Sequence, residues 1–269
     1  MTERLHLLHT NDLHGHLDAE RAAWLAAEKA RLTPCLLLDS GDAVSCGNVD
    51  FRPGGEPIHD LMNQASYDAG ALGNREFHFT AFGQGQKLRR ARFPILAANL
   101  VRPVGYDRIG DATWFEPLPG VRVRVFGLIV PMITADMRVR VLSRARFEPP
   151  LEAAQRILAG SPATVNLCLS HCGLSRDRAL AAALPLDVIL GGHSHTPTAE
   201  LVEGTWIYQN EAHGGTVTHL TLTLEDGRLA GVERNCLRWS EFAGSLPAPG
   251  PIARLARRAW RWYQTHQQR

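Results

Sequence analysis

Six mostly apolar stretches punctuate the chain, at residues 5–8, 35–38, 95–98, 121–130, 165–169 and 188–190. Apolar character without strict alternation predicts strands that are covered on both faces. Helical composition fills the gaps between them. Asp18 is placed to cap a helix reaching Leu32, residues 57–65, 80–91 and 151–159 read as helices, and Ser175 precedes a helix over 176–184. Strands alternating with helices predict an α/β layered fold. From residue 217 to 239 the pattern changes. Leu220, Leu222 and Leu224 alternate with threonines, and Asp226-Gly227 turns the chain into a second strand.

No internal repeat, low-complexity run or long linker interrupts this order. The expected organisation is one domain over residues 1–269, near the upper size for a single core. It ends in a helix at about 251–266, where Ile252, Leu255, Ala256, Ala259, Trp260 and Tyr263 form an apolar stripe away from Arg254, Arg257, Arg258 and Arg261. A basic amphipathic helix can lie on a membrane or a partner, but docking on its own domain is the expectation here.

Composition narrows the function classes. A net charge of +2 gives no bulk electrostatic reason to expect nucleic-acid binding. The opening MTERLHLLHTND lacks the basic and apolar segments of a secretory signal, and no apolar run approaches the ~20 residues of a membrane span. Five cysteines without a C-x-x-C pair read as free thiols, so a cytoplasmic protein is expected. Oligomeric state has no signal in the sequence.

Five short segments stand out chemically: Thr10–Gly15, Asp39–Asp42, Gly73–Glu76, Ser170–Gly173 and Gly191–His195. Four of them directly follow a predicted strand, and ligand crevices of open α/β sheets lie at the carboxyl ends of strands. Their Asp, Asn and His side chains suit Mn, Fe or Zn ions. Asp12 and His14 are two apart, as are His193 and His195, so an extended backbone would point each pair to one side. Asp42 could bridge two ions roughly 3.5–4 Å apart. Any one of these segments is weak alone; the five in this order are not.

The order DxH, GD, GN-x-E, H and GHxH resembles the calcineurin-like metallophosphoesterase superfamily. The segments His9–His16, Ala97–Leu100, Gly127–Pro131 and Gln209 followed by Gly214 are similar to the catalytic domain of bacterial 5'-nucleotidases and 2',3'-cyclic phosphodiesterases. The resemblance spans roughly residues 5 to 240. It implies a four-layer α/β/β/α sandwich with mixed sheets. It also implies two divalent metal ions, one held by Asp12, His14, Asp42 and His195, the other by Asp42, Asn74, His171 and His193. The implied reaction is hydrolysis of a phosphomonoester or phosphodiester, a nucleotide among the candidates, by a metal-bound hydroxide. The substrate would be a small phosphorylated molecule.

Two departures bear on mechanism. Where the family has Gly-Asn-His-Glu-Phe-Asp, this chain has Gly73-Asn74-Arg75-Glu76-Phe77-His78. Arg75 can bind phosphate oxygens bidentately but cannot give up a proton. His78 can act as an acid, or it can be a plain helix-start histidine. His16 is a candidate outer phosphate contact, and His213 could reach the pocket mouth. The second departure is that a nucleobase-gripping C-terminal domain, found in secreted 5'-nucleotidases, is not expected. Two rivals follow: a catalytically silent metal- or phosphate-binding module that lost the catalytic His, and a DNA nuclease of the same superfamily. Seven intact ligands weigh against the first, and the mild charge against the second.

Overall fold

The computed structural model describes residues 2–101 and 105–239. The expected helix at 251–266 lies outside them. The backbone builds two mixed sheets and a small two-stranded one. The first sheet runs, in spatial order, Arg228–Arg238, Thr216–Glu225, Thr2–Thr10, Cys35–Asp39, Ala69–Ala71, Ile95–Leu96 and Ile109–Gly110. The second runs Thr198–Val202, Thr205–Gln209, Val188–Gly191, Val165–His171, Val121–Ile129 and Ala112–Leu118.

Alternation along the strands explains the stacking. Leu5 and Leu7 turn into the interface between the sheets with Leu36, Leu38, Val123, Val125, Leu167 and Leu169. Leu8 and Leu37 face the opposite way, onto the helices Ala19–Arg31 and Ile58–Gln64 through Trp24, Leu25 and Met62. On the far side, Phe126, Cys168 and Ile189 pack against Pro150–Leu158 and Leu174–Ala183 through Ala153, Ala154, Leu180 and Ala181. The result is the four-layer α/β/β/α sandwich. Fully burying one such leucine contributes about 1.5–3 kcal/mol.

Local signals were mostly followed. Asp18 Oδ1 accepts the N–H groups of Glu20 and Arg21 at 3.0 and 2.9 Å and starts the helix Ala19–Arg31. Thr216–Glu225 and Arg228–Arg238 pair antiparallel across Asp226-Gly227. One cap differs: the helix expected from Ser175 begins at Leu174, and Gly173 takes the cap position without a side-chain bond. No helix of the described residues is long and apolar enough to cross a membrane. None of the five cysteines is in a disulfide.

Candidate metal centre

All five glycine-flanked segments sit at carboxyl ends of strands, three from the first sheet and two from the second. The fifth strand, Ala69–Ala71, is only three residues long and leaves no periodic trace in the sequence. Asp12 and His14 do not stay on an extended backbone. They adopt φ of 49° and 46°, and Asp42, His193 and His195 are left-handed too, at 56°, 74° and 51°. That region costs a non-glycine residue roughly 1–2 kcal/mol, and such strain gathers at functional sites. Backbone bonds hold the loops in place: Asp12 N–H donates to Gly41 O and His14 N–H to Asp42 O, both at 2.9 Å. The Gly73 loop approaches so closely that a Cβ there would stand 2.2 Å from the Asp42 nitrogen.

The seven side chains converge in two groups. In one, His195 Nε2 lies 3.1 Å from His14 Nε2 and 3.2 Å from Asp12 Oδ1. In the other, His171 Nε2 lies 3.3 Å from Asp42 Oδ1 and 3.1 Å from Asn74 Oδ1, and His193 Nδ1 lies 2.9 Å from the same Asn74 oxygen. Asp12, Asp42 and His171 are buried and form the floor, whereas His193 and His195 are exposed at the mouth. The donor atoms of Asp12, His14 and His195 lie within 4.8 Å of one another, and so do those of Asp12, Asp42 and His171. Asp12 therefore stands between both groups, alongside the expected bridge Asp42.

The donor set fits a cation. His171 Nδ1 lies 2.7 Å from the carbonyl oxygen of Ser40, which can only accept, so Nδ1 carries the proton. That leaves the Nε2 lone pair facing the Asp42 carboxylate. Only a second proton or a cation can sit between two such acceptors. In the ion-free state burial pulls His171 down, but the neighbouring Asp42 carboxylate outweighs it and lifts the ring to about 9. Burial likewise pushes Asp42 up, yet His171 and the Arg75 N–H hold it at about 2. His14 is lowered to about 4, chiefly by burial, and its buried Nδ1 has no partner.

Arg75 stands at the rim. Its N–H donates to Asp42 Oδ1 at 2.7 Å, its Nη1 donates to Ser45 O at 3.0 Å, and its Nε lies 3.8 Å from Asp42 Oδ2. His78 does not enter the cluster. It is buried, its Nε2 donates to Val49 O at 3.1 Å, and its Nδ1 accepts the Thr80 N–H at 3.1 Å. Both ring nitrogens are thus spent on backbone, and burial lowers its pKa. The acid role open to His78 in the sequence is not the one its geometry serves. His16 is exposed at the mouth, its ring tilted against that of His213 with centroids 4.7 Å apart; the His213 ring lies 5.2 Å from that of His14.

Three supporting residues had no assigned role in the sequence. Glu76 is buried and accepts the N–H groups of Asp42, Val44 and Gly73 at 2.8, 3.0 and 3.0 Å, which ties two ligand loops together. Ser40 orients His171 as described. Lys87 is fully buried and its Nζ donates to the carbonyl oxygens of Gly47, Arg75 and Phe77, fixing the segment that presents Arg75. Glu76 and Ser40 were visible only as members of the Gly73–Glu76 and Asp39–Asp42 segments, and Lys87 left no sequence signal.

The family model described as calcineurin-like phosphoesterase matches residues 5–197. This chain belongs to that family. It is 30% identical over 231 residues to Protein 5NUC of Lutzomyia longipalpis, an alignment covering 71% of this chain and 38% of that protein. It is 28% identical to a 5'-nucleotidase of Vibrio cholerae over 73% of this chain and 41% of the relative. The chain therefore spans half or less of the length of these relatives. Among solved structures, the 5'-nucleotidase precursor of Thermus thermophilus superposes with a TM-score of 0.72 at 26% identity, over 88% of this chain and 54% of that one. Members of this family use divalent metals, and the side-chain groups above are the candidate place for them here.

Proposed function

We propose that this chain hydrolyses phosphoesters of small molecules at two divalent ions. Asp12, His14, Asp42 and His195 would hold one ion, and Asp42, Asn74, His171 and His193 the other. The reading is carried by one observation: a His171 ring whose Nδ1 proton is fixed by Ser40 turns its other nitrogen to a carboxylate 3.3 Å away, a place that a proton or a cation must fill. A mixed oxygen and imidazole set suits Mn, Fe or Zn.

Divalent ions held there would supply Lewis acidity toward a phosphoryl group and an activated water. The chain's own residues do the rest. Ser40 keeps His171 in the ligating tautomer, and Glu76 locks the Asp42 and Gly73 loops at fixed spacing. Arg75, held at the rim by Ser45, offers its remaining N–H groups to phosphate oxygens and offsets charge that develops on them. Arg75 occupies the position where the family has a histidine, and a guanidinium does not give up a proton.

The Vibrio relative and the Thermus structure are both named 5'-nucleotidases, which makes nucleoside monophosphates the first substrates to test. The deciding experiment is a panel of monoesters, 2',3'-cyclic phosphodiesters and p-nitrophenyl phosphate. It is run on metal-free protein and after addition of Mn²⁺, Zn²⁺, Fe²⁺ or Mg²⁺. Turnover that appears only with metal supports the reading. Metal binding with no turnover of any ester would instead favour a silent binding module.

A further inference from the structure

Besides His14 Nδ1, two buried polar atoms near the site have no hydrogen-bond partner: Asp177 Oδ2 and Gln209 Nε2. They converge on one spot. A Cβ built on Gly191 would stand 2.7 Å from Asp177 Oδ2 and 3.7 Å from Gln209 Nε2. The two atoms are not hydrogen-bonded to each other, so a gap separates them beside Gly191, where any side chain would collide with the Asp177 carboxylate.

The opposite ends of both residues grip the ligand loops. Asp177 Oδ1 accepts the Ser170 Oγ–H, and Ser170 Oγ accepts the N–H of Cys172 at 3.3 Å, so both neighbours of His171 are tied to this carboxylate. Gln209 Oε1 accepts the Ser194 Oγ–H and the Thr196 N–H, each at 2.8 Å. Ser194 and Thr196 flank His195, and Ser194 follows His193. A backbone N–H can only donate, so Oε1 must face Thr196 and the Gln209 amide N–H groups must face the gap.

We propose that Asp177 and Gln209 form a positioning brace, joined across the gap beside Gly191 through one buried water, that sets the spacing of His171 against His193 and His195. This rests on reading those histidines as metal ligands. Buried polar groups are paired in the great majority of cases, and a donor and an acceptor facing one small polar gap supply each other's missing partner. Burial pushes the Asp177 carboxyl up to about 7, a penalty that a donor across the gap offsets. Asp177 comes from the helix Leu174–Ala183 and Gln209 from the strand Thr205–Gln209, so the brace links two elements whose apolar residues Leu180, Ala181 and Ile207 share one buried cluster.

The test is a donor–acceptor exchange. Asp177→Asn sets a donor against the Gln209 amide, and Gln209→Glu sets an acceptor against the Asp177 carboxylate. The double variant restores donor opposite acceptor. Mn²⁺ affinity is measured by calorimetry on metal-free protein, together with the Tm of that metal-free protein. Each single variant should weaken Mn²⁺ binding by about 10–100-fold, the usual effect of losing a partner behind the ligands, and the double variant should recover most of the loss. Should a single variant fail to fold, a folded, Mn²⁺-binding double variant is the same rescue. Single variants with wild-type affinity, a lowered Tm with unchanged affinity, or a double variant no better than the worse single one would overturn the brace. A wild type that binds no Mn²⁺ overturns the reading of the site itself, and the brace as a ligand-positioning device with it.

Discussion

His171 Nδ1 sits 2.7 Å from Ser40 O, and this contact links the two sheets at the point where they share the site. Ser40 follows the strand Cys35–Asp39 of the first sheet, whereas His171 ends the strand Val165–His171 of the second. The ring is thereby fixed with its other nitrogen toward Asp42, and the proton it holds in the ion-free state must leave before an ion can bind.

That proton gives a pH dependence with a definite sign. The folded-state pKa of His171, about 9, lies above the ordinary value of 6.5. Its contribution to the stability of metal-free protein is fully present below about pH 6.5 and is lost as pH rises through 9. Proton and ion compete for the same nitrogen, so Mn²⁺ affinity should rise over that same interval while the Tm of metal-free protein falls. Calorimetry and thermal melts between pH 6.5 and 9 check both trends; affinity that falls with rising pH would contradict the assignment.

Arg75→Ala should weaken binding of inorganic phosphate to the metal-loaded protein by roughly tenfold or more, since a hydrogen bond to a charged group contributes about 1.5–3 kcal/mol. Its side chain is 38% exposed and already anchored by Ser45 O, so the fold should tolerate the change. Competitive inhibition by phosphate measures the effect. An unchanged inhibition constant would remove Arg75 from substrate binding.

His78→Ala should act on stability and leave chemistry evenly affected. The ring joins Val49 O to Thr80 N–H, and losing each such hydrogen bond costs about 0.5–1.5 kcal/mol. Tm should drop, with equal fractional losses on alkyl phosphates and p-nitrophenyl phosphate. A loss confined to alkyl phosphates would restore His78 as the acid.

The layers of the fold and the members of the site were legible because both leave local marks. Consecutive apolar runs such as residues 165–169 marked strands, and glycines beside Asp, Asn and His marked the loops after them. What was not legible depends on the third dimension. The strand Ala69–Ala71 is held by its neighbours rather than by its own pattern. The left-handed turns at Asp12 and His14 come from bonds to Gly41 and Asp42, residues about thirty positions away, so an extended spacing was the wrong local guide. The fate of His78 likewise turned on Val49, a partner that no spacing rule points to.

Two ions are proposed to share the carboxylate floor of this site, and their number can be counted. Metal-free protein is titrated with Mn²⁺ in a calorimeter, wild type beside Asp42→Asn. Two sites per chain in the wild type, with at least one lost in Asp42→Asn, is the expected result. A wild type with no site, or a variant that still binds two ions with unchanged affinity, would contradict it.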